Sequence, residues 1–591
     1  MRKCAARPVT SKHPLAWLSE AGAEHCRMKI SVHQFRCLCL LALVALRSTA
    51  AEPATNAPAP TAAKADSKPG DKPEGKPDSK YFEEPAPSVT AHSIKVGERT
   101  LKYHVTAGYI VLKEEEGKGG AGGGRPAEGK PEGKPGDEPE KTKDGLKPKA
   151  RVFFVAYTLD DAGDITSRPV TFAFNGGPGS SSVWLHMASV APRRAALTDE
   201  GEAPAPPYRL TDNESTWLDL TDLVFIDPVS TGYSRPVGKE DARQFHGLRE
   251  DIASVGDFIR LYTSRNTRWL SPKFILGESY GTTRAAGLSD YLQDRYGLYF
   301  NGIVLVSSAL NFQSLEFSAQ NNEPFLQFLP TYAAVAWYHK KLPADLQEKK
   351  VEEVADLARK FAAGDYAVAL GRGDLLPDPE RQRIAVELSR FTGLPAADLL
   401  LWKLRVSDAN FFSYFFRSAG RALGRYDARF TGFRYSPGTE SFEYDPSDEA
   451  VTGPLGAAFN DYIRRELQFE SDIPYELVAN VHPWNFGSEG GGYPQTVDDL
   501  RRAMTRNPYL KVWVTCSYYD LATPFFGAER VIAGMNLDPH IRPNLRFSYY
   551  ESGHMLYIHK PSRVKFKADF AEFLKAAIDQ PVVHSAARGG L

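Results

Sequence analysis

The sequence predicts an α/β protein, with a mostly parallel central sheet flanked by helices and a mainly helical insertion between two halves of the core. Three observations carry this. From about residue 150 to 306, short apolar runs rich in β-branched and aromatic residues alternate with stretches of helical spacing. Strand character fades beyond Phe312 and returns only at Leu510–Val514 and Leu545–Tyr549. One apolar run, Lys273–Leu276, passes straight into a glycine turn and then into helical spacing from Thr282 to Tyr296.

Taken in order, Ser93–Val96 and Leu101–Val105 are strand-like, and residues 113–149 follow as Lys, Glu, Gly and Pro that can bury no face. This stretch reads as a flexible insertion between strands. Arg151–Tyr157, Val170–Phe174, Leu223–Ile226, Lys273–Leu276 and Gly302–Val306 continue the sheet. In the insertion, Leu346, Val351, Val354, Leu357 and Phe361 mark an amphipathic helix with Gly364 as its stop. Ile384–Phe391 and Ala396–Leu404 have helical patterns too, and the last helix covers Pro561–Ile578. The expected division is therefore a core in two parts, 80–311 and 498–580, a helical cap at 312–497, a disordered linker at 52–79 and a flexible tail at 581–591.

Residues 1–51 read as an N-terminal extension and signal peptide with its start at Met28. Lys29 and Arg36 are basic, Cys37–Leu46 is apolar, and Ser48-Thr49-Ala50 has the small-x-small form of a cleavage site. The expectation is export, to a periplasm or outside the cell. Four of the five cysteines (Cys4, Cys26, Cys37, Cys39) would leave with that segment. Cys516 alone would remain, so the mature chain would have no internal disulfide, and its apolar surroundings mark it as a core residue.

Composition narrows the function. Of 591 residues 42% are hydrophobic and 25% charged, with a formal net charge of -1. Nothing here attracts nucleic acid or an anionic membrane, and no run is long enough for a membrane span. No His, Cys, Asp or Glu cluster has metal-ligand spacing, so neither metal nor cofactor is expected.

The chemistry centres on Gly277-Glu278-Ser279-Tyr280-Gly281, a G-x-S-x-G turn between strand and helix. Such a turn is too tight for side chains at its ends and pushes Ser279 out at the top of the sheet, while the Tyr280 amide opens the following helix toward a developing oxyanion. A serine hydroxyl needs a base, and the base an orienting carboxylate. Asp520 and His554 each follow a late strand, and the order Ser279, Asp520, His554 is that of an α/β-hydrolase. Asn175-Gly176-Gly177-Pro178-Gly179, directly after Val170–Phe174, lets backbone amides approach a ligand closely and so complete an oxyanion hole.

At this point the sequence resembles the serine carboxypeptidase family, peptidase family S10, and its bacterial branch. The resemblance rests on NGGPGSSS at 175–182, IDPVSTGYS at 226–234, GESYG at 277–281, YYDLATP at 518–524 and SGHM at 552–555. It implies a triad of Ser279, Asp520 and His554, an oxyanion hole of the Gly177 and Tyr280 amides, and a site for the substrate's terminal carboxylate at Asn175, the Gly176 amide and Glu278. The implied substrate is a peptide with a free C-terminal carboxylate. Eukaryotic members have cysteine where Ser180 stands and a second glutamate where Ser189 stands, and Thr282 replaces the usual second glycine. A glutamate beside the nucleophile would repel a carboxylate substrate unless one of the two carries a proton, so activity is expected to be best at acidic pH. An esterase or acyltransferase using the same triad is the alternative, and a binding protein on a hydrolase scaffold a third reading.

Overall fold

The strand-like runs of the sequence assemble into one sheet in a computed structural model of the protein. The model describes residues 82–114, 141–142, 144–436, 444–487 and 492–580. All of them belong to one unit, Pro77–Leu591; the other, Met1–Lys76, lies outside the described residues. So do the expected signal peptide, linker and tail.

The sheet strands are β1 (Ser88–Val96), β2 (Arg99–Glu114), β3 (Lys147–Leu159), β4 (Val170–Phe174), β5 (Asp222–Ile226), β6 (Lys273–Glu278), β7 (Gly302–Val306), β8 (Lys511–Ser517) and β9 (Leu545–Tyr550). Their order is β1-β2-β3-β5-β4-β6-β7-β8-β9, with the short strand Arg235–Pro236 beside β3. The first three strands form an antiparallel meander that joins β5 antiparallel. From β5 to β9 every neighbouring pair is parallel. This is the α/β-hydrolase arrangement expected from the sequence.

The expected insertion at 113–149 begins and ends as strand. Lys113 pairs with Pro148 and Glu114 with Lys147 across β2 and β3. The charged ends are accommodated by ion pairs, since Lys149 lies 2.7 Å from Glu240 and 3.3 Å from Glu114. Residues 115–140 lie outside the described residues.

The parallel strands read as unbroken apolar runs because both of their faces are buried. Ile275, Ile303, Leu305, Val512 and Val514 face one core, which they share with α1 (Leu248–Arg265) and α2 (Tyr280–Tyr296). The alternate residues Phe274, Leu276, Val304, Val306 and Trp513 face the other core, against Phe566, Phe570 and Phe573 of the C-terminal helix Lys560–Ile578. Trp217 stacks there on Phe570 with ring centroids 3.5 Å apart.

The insertion is mainly helical, as expected, but its helices divide between the two cores. α3 (Glu323–Tyr338), α4 (Val351–Phe361) and α5 (Asp378–Thr392) pack into the first. α6 (Pro446–Arg465) packs into the second, where Phe459 and Tyr462 meet His186, itself stacked on Phe225 at 4.3 Å. Burial pushes the His186 imidazole down to about 3, so it sits there neutral. Gly364 kinks the chain rather than stopping it: at φ -107° and ψ -110° it breaks the helical run, which then continues through Ala367–Arg372. The pattern expected at Ala396–Leu404 ends at Leu401, because Lys403 and Leu404 take positive φ.

Candidate active site

In parallel strands all C-terminal ends lie on one side of the sheet, and that is where loops carry function in such folds. Asn175 follows β4, Ser279 follows β6, Asp520 follows β8 and His554 follows β9, so the topology brings all four to one edge.

Ser279 occupies a backbone conformation that residues with side chains rarely adopt, φ 58° and ψ -128°. Hydrogen bonds fix it there. Its amide donates to the Val306 carbonyl at 3.0 Å, and its own carbonyl accepts the Thr282 amide at 2.9 Å and the Thr282 hydroxyl at 2.6 Å. Thr282, which replaces a glycine of the resemblance, thus ties down the turn. The flanking glycines are required by space: a Cβ on Gly277 would lie 2.4 Å from the Gly281 carbonyl oxygen, and one on Gly281 2.9 Å from those of Phe174 and Asn175. A Cβ on Gly176 would lie 2.5 Å from the Tyr280 nitrogen, so the glycine turn presses directly on the start of α2. Gly177 follows at φ 103°.

His554 Nδ1 lies 2.8 Å from Asp520 Oδ2. The Asp520 carboxylate also accepts the amides of Ala522 and Thr523 at 2.8 and 2.9 Å and the Thr523 hydroxyl at 2.7 Å. Burial alone would push this carboxyl up, but the His554 ring and the Thr523 hydrogen bonds outweigh it and hold Asp520 below its ordinary value. His554 is likewise opposed by burial, yet Asp520 and then Glu278 raise it. Between Ser279 and His554 stands β7: Ser279 is held by Val306, and the next hydroxyl, Ser307 Oγ, donates to the His554 carbonyl at 2.7 Å.

Glu278 is buried beside Ser279. Asn175 Nδ2 donates to its Oε1 at 3.1 Å, while Oε2 has no hydrogen-bond partner. Burial raises its carboxyl to about 7, against smaller lowering effects of His554, Tyr557 and Asn175. Asn175 is anchored in turn: its side-chain oxygen accepts the Leu185 amide at 3.1 Å.

Several positioning residues carry no readable signal in the sequence. Arg284 on α2 looks like an ordinary helix arginine. It is buried, bonds Asp251 at 2.7 Å and donates to the Asn175 carbonyl at 2.7 Å. The Tyr280 hydroxyl joins the same Asp251 carboxylate at 3.2 Å. The insertion supplies Arg425–Ala428, which lies between the Asp520 and His554 loops. There the Leu521 amide donates to the Arg425 carbonyl at 3.0 Å, and the His554 amide donates to that of Tyr426 at 2.5 Å. Asp427 accepts the Gly553 amide at 3.0 Å. Asp227, in the IDPVSTGYS motif, accepts the Ser182 amide and hydroxyl, both at 2.8 Å, and so braces the glycine turn. Thr523, three residues after Asp520, was legible as a local side-chain turn. Ser189 is buried with its hydroxyl unpartnered, and Cys516 is buried and free. Among the described residues no group of three or more His, Cys, Asp or Glu is placed to hold a metal ion, and no helix is long and apolar enough to cross a membrane.

Residues 145–323 match the family model described as serine carboxypeptidase. A segment of 135 residues is 34% identical to the pheromone-processing carboxypeptidase KEX1 of Saccharomyces cerevisiae, covering 22% of this chain and 17% of that protein. The crystal structure of the prohormone-processing carboxypeptidase Kex1 from the same yeast is 16% identical, covering 80% of this chain and 91% of that chain, with a TM-score of 0.46. A proline iminopeptidase of Mycobacterium smegmatis is 14% identical, covering 72% and 95%, with a TM-score of 0.31. The matched segment holds the glycine turn and the serine elbow, and over that segment the chain is similar to serine carboxypeptidases.

Proposed function

We propose that the protein is a serine carboxypeptidase that hydrolyses the C-terminal bond of peptides through a seryl acyl-enzyme. In this reading Ser279 Oγ attacks the last peptide carbonyl and passes its proton to His554, which Asp520 orients and, once protonated, stabilises. The Tyr280 and Gly177 amides receive the oxyanion. His554 then protonates the leaving amine, the C–N bond breaks, and the C-terminal amino acid departs. Water, deprotonated by His554, cleaves the remaining ester and restores Ser279.

The observation that carries the exopeptidase reading is the buried Asn175–Glu278 pair beside the nucleophile, with Glu278 Oε2 unpartnered and its carboxyl raised to about 7. An esterase has no use for such a group. A protonated carboxyl instead donates to a substrate carboxylate and, with the Gly176 amide, holds it. The alternative, an esterase or acyltransferase on the same triad, lacks that support. Periplasmic or secreted location accords with the basic, apolar and small-residue run at 28–50.

The test offers purified protein an acyl-dipeptide with a free carboxylate, its amide-blocked twin and a simple ester, at acidic and neutral pH. Preference for the free acid, abolished in Ser279→Ala, supports the proposal. Turnover of the ester alone favours the alternative, and no turnover of any substrate counts against both.

A further inference from the structure

Tyr557 lies in the short helix Leu556–Ile558, three residues beyond His554. It is entirely buried, yet its hydroxyl has no hydrogen-bond partner. Its hydroxyl lies within reach of the Glu278 carboxyl and of the Asn175 side chain, without a well-formed hydrogen bond to either. The one free oxygen of Glu278 is likewise without a partner. Two neighbouring buried polar atoms, neither in a well-formed hydrogen bond, can both turn to a third group placed between them.

The chemistry of that group follows from what is left over. Asn175 already occupies Glu278 Oε1. What remains is a phenol O–H and, at acidic pH, a carboxyl O–H, both donors. A carboxylate, with two oxygens and about four lone-pair sites, takes both. We propose that the Tyr557 hydroxyl is a further binding residue for the substrate's terminal carboxylate, donating to it alongside Glu278. This rests on the carboxypeptidase reading above. Burial pushes the phenol well above its ordinary value, so it remains a donor throughout the working range. The Tyr557 carbonyl accepts from Arg563 at 3.2 Å, which fixes its backbone independently of any ligand.

The test is Tyr557→Phe, compared with wild type and with Asn175→Ala on the free and amide-blocked acyl-dipeptides at pH 5. A hydrogen bond to a charged group is worth about ten- to a hundredfold in affinity. KM for the free acid should rise by about that factor, kcat should change less, and the loss should exceed that seen with the blocked twin by about tenfold. Phenylalanine keeps the ring and removes only an unpaired hydroxyl, so the melting temperature should stay at or above that of wild type. If Asn175→Ala lowers the preference for the free acid and Tyr557→Phe does not, Tyr557 has no such role and the carboxypeptidase reading stands. A wild type with no preference for the free acid overturns both.

Discussion

Replacing Glu278 with glutamine separates what its proton does from what its shape does. The side chain keeps its size, its Oε1 still accepts from Asn175, and its amide donates at every pH. In wild type the carboxyl is raised from 4.5 to about 7 by burial, with His554, Asp520, Tyr557 and Asn175 as the other groups facing it. At pH 5 about 99% of it is protonated and at pH 8 about a tenth. The ratio of kcat/KM for a free-carboxylate substrate to that for its amide-blocked twin should therefore fall about tenfold over this interval. Taking the ratio removes the titration of His554, which both substrates share. In Glu278→Gln the fall should vanish. A linked effect appears in stability. Because the folded value lies above the unfolded one, the group's contribution is fully present below about 4.5 and is lost as pH rises through about 7. The rise corresponds to about 3 kcal/mol, so the stability of the glutamine variant relative to wild type should grow by that amount between pH 4 and pH 8 in denaturant titrations. A falling ratio that persists in the glutamine variant would refute the assignment of that limb to Glu278.

Two other substitutions test the backbone. Ser279→Gly should abolish turnover while raising stability by about 1–3 kcal/mol, since glycine relieves the φ 58° conformation; urea unfolding reads this out. Gly176→Ala places a methyl 2.5 Å from the Tyr280 nitrogen, so the turn must move away from the elbow. Its kcat should fall about a hundredfold or more on both ester and peptide, as for loss of an oxyanion donor, in steady-state assays.

The sheet was legible because its strands are buried on both faces and bounded by turn residues, so Val170–Phe174 or Gly302–Val306 leaves little ambiguity. Less legible were places where partners distant in sequence decide the outcome. β2 and β3 extend into the Lys- and Glu-rich stretch because each provides the other's hydrogen bonds and Glu240 pairs Lys147 and Lys149 of β3. The assignment of α6 to the opposite core from α3–α5 depends on His186 and Phe225, which no local period reveals. At the site, the elbow glycines and the order Ser279, Asp520, His554 carried a signal because backbone geometry fixes the residue types. Tyr557 and Arg284 did not, since an aromatic in an apolar run and an arginine on a helix are common everywhere.

The coupling between Glu278 and His554 bears on the acidic preference proposed for this site. The Glu278 anion raises the proton affinity of His554, whereas protonated His554 lowers that of Glu278, and Asp520 and Arg425 also bear on His554 with opposite signs. The first proton taken up near neutrality therefore belongs to the pair rather than to either residue. Placed on Glu278, it creates a donor for the substrate carboxylate and removes a negative charge from the surroundings of His554, which keeps the imidazole neutral as a base. Placed on His554, it leaves an ion pair that can neither accept the Ser279 proton nor hold a carboxylate. In the proposed mechanism catalysis needs the first microstate, and kcat/KM, which reports the free enzyme, should follow its population. Burial of Glu278, which disfavours its anion, favours that state, while Asp520 favours the other. In that mechanism the burial of the glutamate acts on His554 as well as on the carboxylate site.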